Sequence, residues 1–420
     1  LEVAVRADIV VIGAGIIGAA CARELAGAEC SVTVLDRAAA ASATTAHGEG
    51  NILVSDKAPG PELDLARASV RLWPQAVAEL GEELGPRLPD IEWDRKGGLV
   101  VATTAAGAAG LGAFAREQRQ TGVDAQPVDL GDVPGLEPNL SRDITAAVRY
   151  PEDAQVQPVA AAEALLASAR TRGARVRQAT AVLGPIRDRS GALRGVHTTA
   201  GPWHTPVVLN AAGPWAGRVA RLLGAPVPVR PRRGMVLVTA RVPPWTVRHK
   251  VYDADYVATV ADTGGESEET TASGALTSSV VESTAAGPLL VGSSRRHVGF
   301  DDRLRVDVLA RIAAKAVRLF PGLADVPVIR AYGGFRPGVP DHLPIIGPDE
   351  RVPGLWHATG HEGAGIGLSV ATARLIRQMI LEEPPVVDPR PFRPLRPGLA
   401  AATSTGAGDT DRPTSSSASP

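Results

Sequence analysis

Residues Asp8 to Arg37 read DIVVIGAGIIGAACARELAGAECSVTVLDR. Ile9, Val10, Val11 and Ile12 are β-branched residues in succession, as in a buried strand. They run into Gly13, Gly15 and Gly18, after which apolar residues recur at helical spacing through Leu25. A second β-branched run, Ser31 to Leu35, ends on Asp36. Strand, glycine turn, helix, strand and acid at this spacing make a dinucleotide-binding fingerprint, and each part has a physical task. Gly13 permits the tight turn, Gly15 lets the backbone approach a pyrophosphate, and Gly18 lets the helix press on the strands. The helix start at Ile16 and Ile17 turns free N–H groups and the positive end of its dipole toward the anion. Asp36, followed by Arg37, would accept the ribose hydroxyls, and its charge argues against a 2′-phosphate, hence against NADP. The fingerprint itself leaves FAD and NAD open.

The 420 residues can bury a sizeable core and fit two domains. Hydrophobic residues make up 44% and charged residues 21%, as in an ordinary globular protein. A formal net charge of −1 gives no electrostatic case for nucleic acid or an acidic membrane surface. Lysine is rare (Lys57, Lys96, Lys250, Lys315), so arginine carries most of the positive charge. Cys21 and Cys30 are the two cysteines, which excludes a disulfide framework and metal-ligand spacing, and a reducing cytoplasm is the expected compartment. The apolar run Ile9 to Ala22 is shorter than the roughly 20 residues of a membrane span and is accounted for as strand and helix. No integral membrane segment is expected, and Leu1 in place of Met is read as a trimmed or non-standard start.

After Asp36 no second βαβ unit begins. The small-residue stretch Ala38 to Asn51 follows, suited to lying against a flat ligand, with Thr44, Thr45, Gly48 and Gly50 giving hydroxyls and close backbone, and His47 and Glu49 as polar groups beside a reactive ring. Helices are expected over Glu62 to Leu84, Ala105 to Gln120, Pro158 to Gly173 and Asp301 to Phe320, and a hairpin or strand pair over Trp93 to Thr104 through Gly97 and Gly98. Ala174 to Leu183, Leu193 to Thr199 and Val207 to Trp215 read as strands, the last ending on Ala212, Gly213 and Pro214, so the nucleotide unit is interrupted and resumed. The Ser/Thr/Gly/Glu-rich stretch 261–287 reads as a mobile insertion, and 397–420 as a disordered tail.

A second anchor lies at Ala331 to Gly367, AYGGFRPGVPDHLPIIGPDERVPGLWHATGHEGAGIG. A glycine-flanked arginine, Arg336, precedes a proline-rich turn, then the apolar pair Ile345 and Ile346, a strand Leu355 to Thr359, a glycine-rich loop, and a helix from Ile366 to Leu381. With the opening fingerprint, this resembles the D-amino-acid oxidase superfamily of FAD-dependent oxidoreductases, over about Asp8 to Glu383. The family's G-x-R-P turn is matched by Gly334 to Pro337, its D-x-x-P-I-I-G by Asp341 to Gly347, and its closing flavin loop by Thr359 to Gly367. GEGNILVSDK (Gly48 to Lys57), DHLPIIG and HATGHEGAGIGLS look most similar to the group containing hydroxyproline dehydrogenase β subunits, opine oxidases and the flavin subunit of hydrogen cyanide synthase.

The resemblance implies an α/β fold, a Rossmann-like FAD-binding domain (8–90, 150–225 and 327–385) interleaved with an α+β substrate domain on an antiparallel or mixed sheet (91–149 and 226–326). It implies FAD, held without a covalent cysteine link because no cysteine lies beyond Cys30. Its cofactor residues here are Gly13, Gly15, Ile16, Ile17, Gly18, Asp36, Arg37, Thr44, Thr45, Gly48, Glu49, Gly50, Val182, Ala212, Gly213, Gly334, Arg336, Gly360, Gly363, Ala364, Gly365 and Ile366. Arg336 is the expected carboxylate clamp, because a guanidinium fork grips a carboxylate in a way lysine cannot copy. His361 and His47 are the other catalytic candidates, and Tyr252 and Tyr256 the candidate pocket wall. The implied reaction is oxidation of the C–N bond of a small amino or cyclic imino acid by hydride transfer to flavin N5. Electrons would leave to oxygen or to partner redox subunits, a ferredoxin-like one and a second flavoprotein. An NAD-dependent dehydrogenase, or a flavin-binding subunit without catalysis, stands as the alternative.

Overall fold

The computed structural model describes residues 5, 6, 8–28, 30–88, 90–254 and 276–399. Its centre is a six-stranded sheet in the order Ile345–Pro348, Leu355–Thr359, Val207–Asn210, Ile9–Ile12, Val32–Leu35, Arg175–Arg177. All pairings are parallel except the one between Ile345–Pro348 and Leu355–Thr359. Ile9–Ile12 and Val32–Leu35 are buried at every position, as continuous apolar runs in a sheet covered on both faces must be. Helix Ile16–Ala26 packs on helices Gly365–Ile380 and Pro158–Thr171, and Pro61–Leu84 packs on Gly365–Ile380 in turn. Trp73, fully buried, fixes that contact by donating from Nε1 to the Gly367 carbonyl at 3.1 Å. A four-stranded sheet, ordered Val5–Arg6, Gly201–His204, Leu193–Thr198, Val182–Arg187, flanks this unit.

The larger sheet has eight strands: Val328–Gly338, Arg230–Arg241, Pro288–Arg295, Leu276–Ser283, Lys250–Asp253, Gly98–Ala102, Ala146–Tyr150, Gln126–Val128. Only Lys250–Asp253 and Gly98–Ala102 run parallel. Helix Val306–Leu319 covers one face with Val308, Ile312, Ala316 and Leu319, spaced three and four residues apart. The mixed α/β architecture is the one the sequence predicts.

Four local readings change. Gly98–Ala102 pairs with Ala146–Tyr150 and Lys250–Asp253, not with Trp93 to Gly97, so no hairpin forms there; its partners are distant in sequence. Of the insertion 261–287, residues 276–283 are an interior strand, Leu276–Ser283, because Val280 and Val281 are fully buried against its neighbours; 261–275 lie outside the described residues. Val328–Gly338, placed by sequence with the nucleotide unit, pairs along its length with Arg230–Arg241 and belongs to the larger sheet. Of the expected tail, 397–399 are ordered with Leu399 buried, and 400–420 lie outside the described residues.

Candidate active site

The carboxyl ends of Ile9–Ile12, Val32–Leu35 and Val207–Asn210 open into a cleft of about 430 Å3 that runs to the eight-stranded sheet, where Gly234, Val236, Gly334 and Arg336 line it. Parallel strands present their crevice at this end, where a dinucleotide is bound.

At this end Gly13 and Gly18 stand where the backbone leaves no room for a side chain. Gly13 has φ 110°, and a Cβ there would lie 2.4 Å from the Ala211 carbonyl oxygen. A Cβ on Gly18 would lie 1.9 Å from the Gly13 oxygen, so Gly18 sits beneath the turn and packs it rather than lining the cleft. Asp36 closes the rim: its carboxylate accepts from the Ala14 N–H at 2.7 Å and the Ala38 N–H at 2.8 Å. Thr45 Oγ1 accepts from Ile16 N at 3.1 Å, tying the small-residue stretch to the helix start. Ile17, Arg37, Val182, Ala212 and Gly213 also line this part. Arg37 lies over the Trp215 ring at 4.2 Å, and Trp215 stacks on Phe300 with centroids 5.1 Å apart. Trp215 was missed by sequence reading; its position directly after Ala212–Gly213–Pro214 was the available signal.

In the middle, Thr44 donates to the Phe335 carbonyl at 2.7 Å, joining the N-terminal stretch to the G-x-R-P turn across 291 residues of chain. A Cβ on Gly48 would meet Ile366 at 2.8 Å. Helix Gly365–Ile380 begins in the cleft wall behind N-cap Ala364 with no side-chain cap, so its first N–H groups and dipole face the cavity. Glu362, at φ 47°, anchors the preceding loop through Arg232 at 3.0 Å and His342 at 2.9 Å. Burial raises the Glu362 carboxyl, but those two partners outweigh it and hold the group below its ordinary range. Gly363 lies beside Arg336, Cβ to Nε 3.5 Å. Gly50 and Gly360, at φ 96° and 79°, turn the chain against Val156 and Val339 just outside the cleft.

At the far end, Arg336 Nη1 donates to the Ser294 carbonyl at 2.8 Å, and its guanidinium covers Gly234, a residue sequence reading missed. His47, half-buried, donates from Nδ1 to the Ala43 carbonyl at 2.7 Å and meets Tyr332 edge-on, centroids 5.9 Å apart. His361 lines the cleft but is only 3% exposed; Nε2 meets Thr372 Oγ1 at 3.0 Å, and Nδ1 has no partner among the described residues. Burial pushes its pKa down to about 3, so the ring is neutral. Glu49 lines the cleft as well.

Tyr252 is not in the pocket wall. It stands on an interior strand, fully buried, hydrogen-bonded to Ser55, which in turn bonds Asp153, a carboxyl pushed up to about 7 by burial. Ordinary sheet packing took it away from the cleft. Tyr256 lies outside the described residues.

The cradle fits a dinucleotide with a flat ring at its far end. The turn leaves no room for a Cβ at Gly13 or Gly18, a helix end is open, and His361, on the cleft lining, has a buried Nδ1 with no partner among the described residues. The DAO family model, described as FAD dependent oxidoreductase, matches residues 8–379. The chain belongs to this family. FAD is therefore its dinucleotide, and the NAD-dependent reading is set aside. Among the similar proteins of this oxidoreductase, hydrogen cyanide synthase subunit HcnC of Pseudomonas aeruginosa is 27% identical over 425 residues, 92% of this chain and 95% of the relative. Glycine oxidase of the same organism is 29% identical over 392 residues, covering 92% and 98%. The crystal structure of glycine oxidase from Geobacillus kaustophilus superposes with a TM-score of 0.82 at 26% identity, over 93% of this chain and 99% of that one. Among the described residues no helix is long and apolar enough to cross a membrane.

Proposed function

We propose that this FAD-dependent oxidoreductase oxidises the C–N bond of a small amino or cyclic imino acid, with Arg336 as the carboxylate clamp. The observation that carries the reading is the guanidinium of Arg336, held over Gly234 in the cleft beside Gly363. The similarity to glycine oxidases supports the substrate class.

A planar fork binds a carboxylate through two parallel charge-assisted hydrogen bonds and so fixes orientation as well as position. Fixing the carboxylate directs the neighbouring carbon along the cleft, and such positioning contributes much of the rate. Bound FAD supplies a two-electron acceptor for the hydride that leaves this carbon. The chain holds the cofactor without a covalent cysteine link, through Gly13, Gly15, Asp36, Thr45 and the start of helix Gly365–Ile380. That helix end stabilises negative charge placed against it. His361, neutral and held by Thr372, shapes the loop and offers its free nitrogen to the bound group rather than exchanging protons near neutrality. His47 packs on Gly334 and Tyr332 and walls the substrate end. The imine product hydrolyses or leaves.

Electrons pass on to oxygen or to partner subunits; HcnC, by its name, is one subunit of a synthase. Among the described residues no group of His, Cys, Asp and Glu could hold a metal, so any iron–sulfur relay lies outside them. The buried Cys21 thiol, pushed up by burial, and the free Cys30 suit a reducing compartment, the cytoplasm.

Anaerobic addition of glycine, sarcosine, D-amino acids and prolines tests the reading. At least one bleaches the flavin, and Arg336→Ala raises the concentration required by 30-fold or more, since removing one partner of a buried charge pair costs about 2–5 kcal/mol. A flavin that none of them bleaches marks a non-catalytic subunit instead.

A further inference from the structure

We infer that Glu49 is the second recognition residue of the substrate chamber, the anion that accepts the substrate's protonated amine and selects amino acids over plain carboxylic acids. The inference deepens the proposed function and rests on it.

Its basis is the chamber floor. Gly234 pairs with Gly334 and Val236 with Tyr332, and Leu237 with Val291, which sets Gly292 beside Val236. Neighbours across strands present their side chains to one face, and Gly234 and Val236 show that this face is the cleft's. Three floor positions are glycine, and a polar side chain stands over each. A Cβ on Gly234 would lie 2.1 Å from Arg336 Nη1, on Gly334 2.5 Å from His47 Cβ, and on Gly292 2.1 Å from Glu49 Oε1. The sheet is therefore cut down beneath a cation and an anion. Gly292 lies two residues along and one strand across from Gly234, so the floor positions beneath the two charged groups are about 8 Å apart. A carboxylate and an amine on one carbon, with a contact at each end, need a span of this kind.

Glu49 also has unmet capacity. Asn51 Nδ2 donates to Oε2 at 3.3 Å, but buried Oε1 has no partner among the described residues, nor has Asn51 Oδ1. Buried acceptors are almost always hydrogen-bonded, and a turn of the Glu49 carboxylate, which lines the cleft, brings the unmatched oxygen to a donor there. An ammonium supplies up to three N–H donors and a positive charge. The other carboxylate nearby, Glu282, is fully buried, pairs through Oε2 with Lys250 at 3.2 Å, and unlike Glu49 does not line the cleft; its Oε1 also has no partner among the described residues. The field of Glu49 reaches this face: burial first, then Glu49, raises the Tyr332 hydroxyl. Glu49 thus belongs to the substrate rather than to the cofactor shell expected from sequence.

Two unreactive ligands of similar shape, one with an ammonium and one without, test this on the FAD-loaded enzyme. 2-Aminoisobutyrate has no hydrogen on its α-carbon, and pivalate replaces its ammonium by a methyl group of similar size. Binding is read by calorimetry and by perturbation of the flavin absorbance, with no turnover. The wild type prefers 2-aminoisobutyrate. Glu49→Gln reduces that preference by about 10- to 100-fold, the range for a hydrogen bond to a charged group, while pivalate binds as well or better. Arg336→Ala weakens both ligands. An unchanged preference in Glu49→Gln, equal weakening of both ligands, or loss of FAD from that variant overturns the assignment. Failure of the wild type to bind either ligand instead removes the carboxylate clamp, and with it both readings.

Discussion

Replacing Gly234 by alanine separates the clamp from the fold. The Cβ would lie 2.1 Å from Arg336 Nη1, 2.6 Å from Cζ and 2.7 Å from Nη2, so it lands in the middle of the guanidinium. What must yield is the far end of a flexible side chain, and Gly234 lies in strand Arg230–Arg241 without a left-handed φ. Alanine is therefore acceptable to the backbone, and replacing glycine in a strand gains roughly 0.5–1 kcal/mol against the cost of moving the arginine. Net stability should stay within about 1 kcal/mol of wild type, which is about 2–4 °C in Tm for a domain of 150–250 residues. The guanidinium shifts by about 1 Å, and a misplacement of that size costs on the order of 100-fold. The assay is kcat/KM for whichever amino acid best bleaches the flavin, with FAD content and Tm recorded on the same sample. Unchanged kcat/KM at full FAD content would refute the clamp. A collapse of Tm or loss of FAD would show instead that Gly234 serves packing.

Gly18→Ala meets backbone, with a Cβ 1.9 Å from the Gly13 oxygen, and should lower both Tm and the FAD-to-protein ratio. Gly110→Ala, on exposed helix surface with nothing within 4 Å, is the control and should be neutral or stabilising by up to about 1 kcal/mol. His361, held down to about 3 by burial, contributes stability that is fully present above its unfolded value of about 6.5 and is lost as pH falls toward 3, because only the unfolded chain takes the proton there. His361→Asn should flatten thermal stability against pH between about 6 and 4, removing a slope that approaches 1.4 kcal/mol per pH unit. An identical slope in that variant would show that the buried ring is not the group responsible.

What was legible in the sequence is what local chemistry dictates. The turn at Gly13 to Gly18 needs glycine for contacts with Ala211 and with its own chain, so its reading transferred directly. Helix Ala105–Gln120 is set by its own period and its Thr104 cap. Long-range pairing was not legible. Gly98–Ala102 takes partners from residues 146 to 253, and the paired run of Val328–Gly338 is longer than its apolar part because Arg230–Arg241 covers it. Gly234 and Gly292 carry no sequence mark of standing beneath Arg336 and Glu49, since sheet register alone brings them there. Asp341 of the D-x-x-P-I-I-G motif holds Arg396 at 2.6 and 2.8 Å, a structural tie that the motif does not announce.

The central claim is that the opening turn and the closing loop hold one FAD whose far end faces the Arg336 chamber. The visible absorption spectrum of the natively purified protein, recorded anaerobically before and after addition of amino and imino acids, tests it most directly. The account predicts about one FAD per chain and loss of the flavin band with at least one of these acids. A colourless protein that refuses added FAD would contradict it.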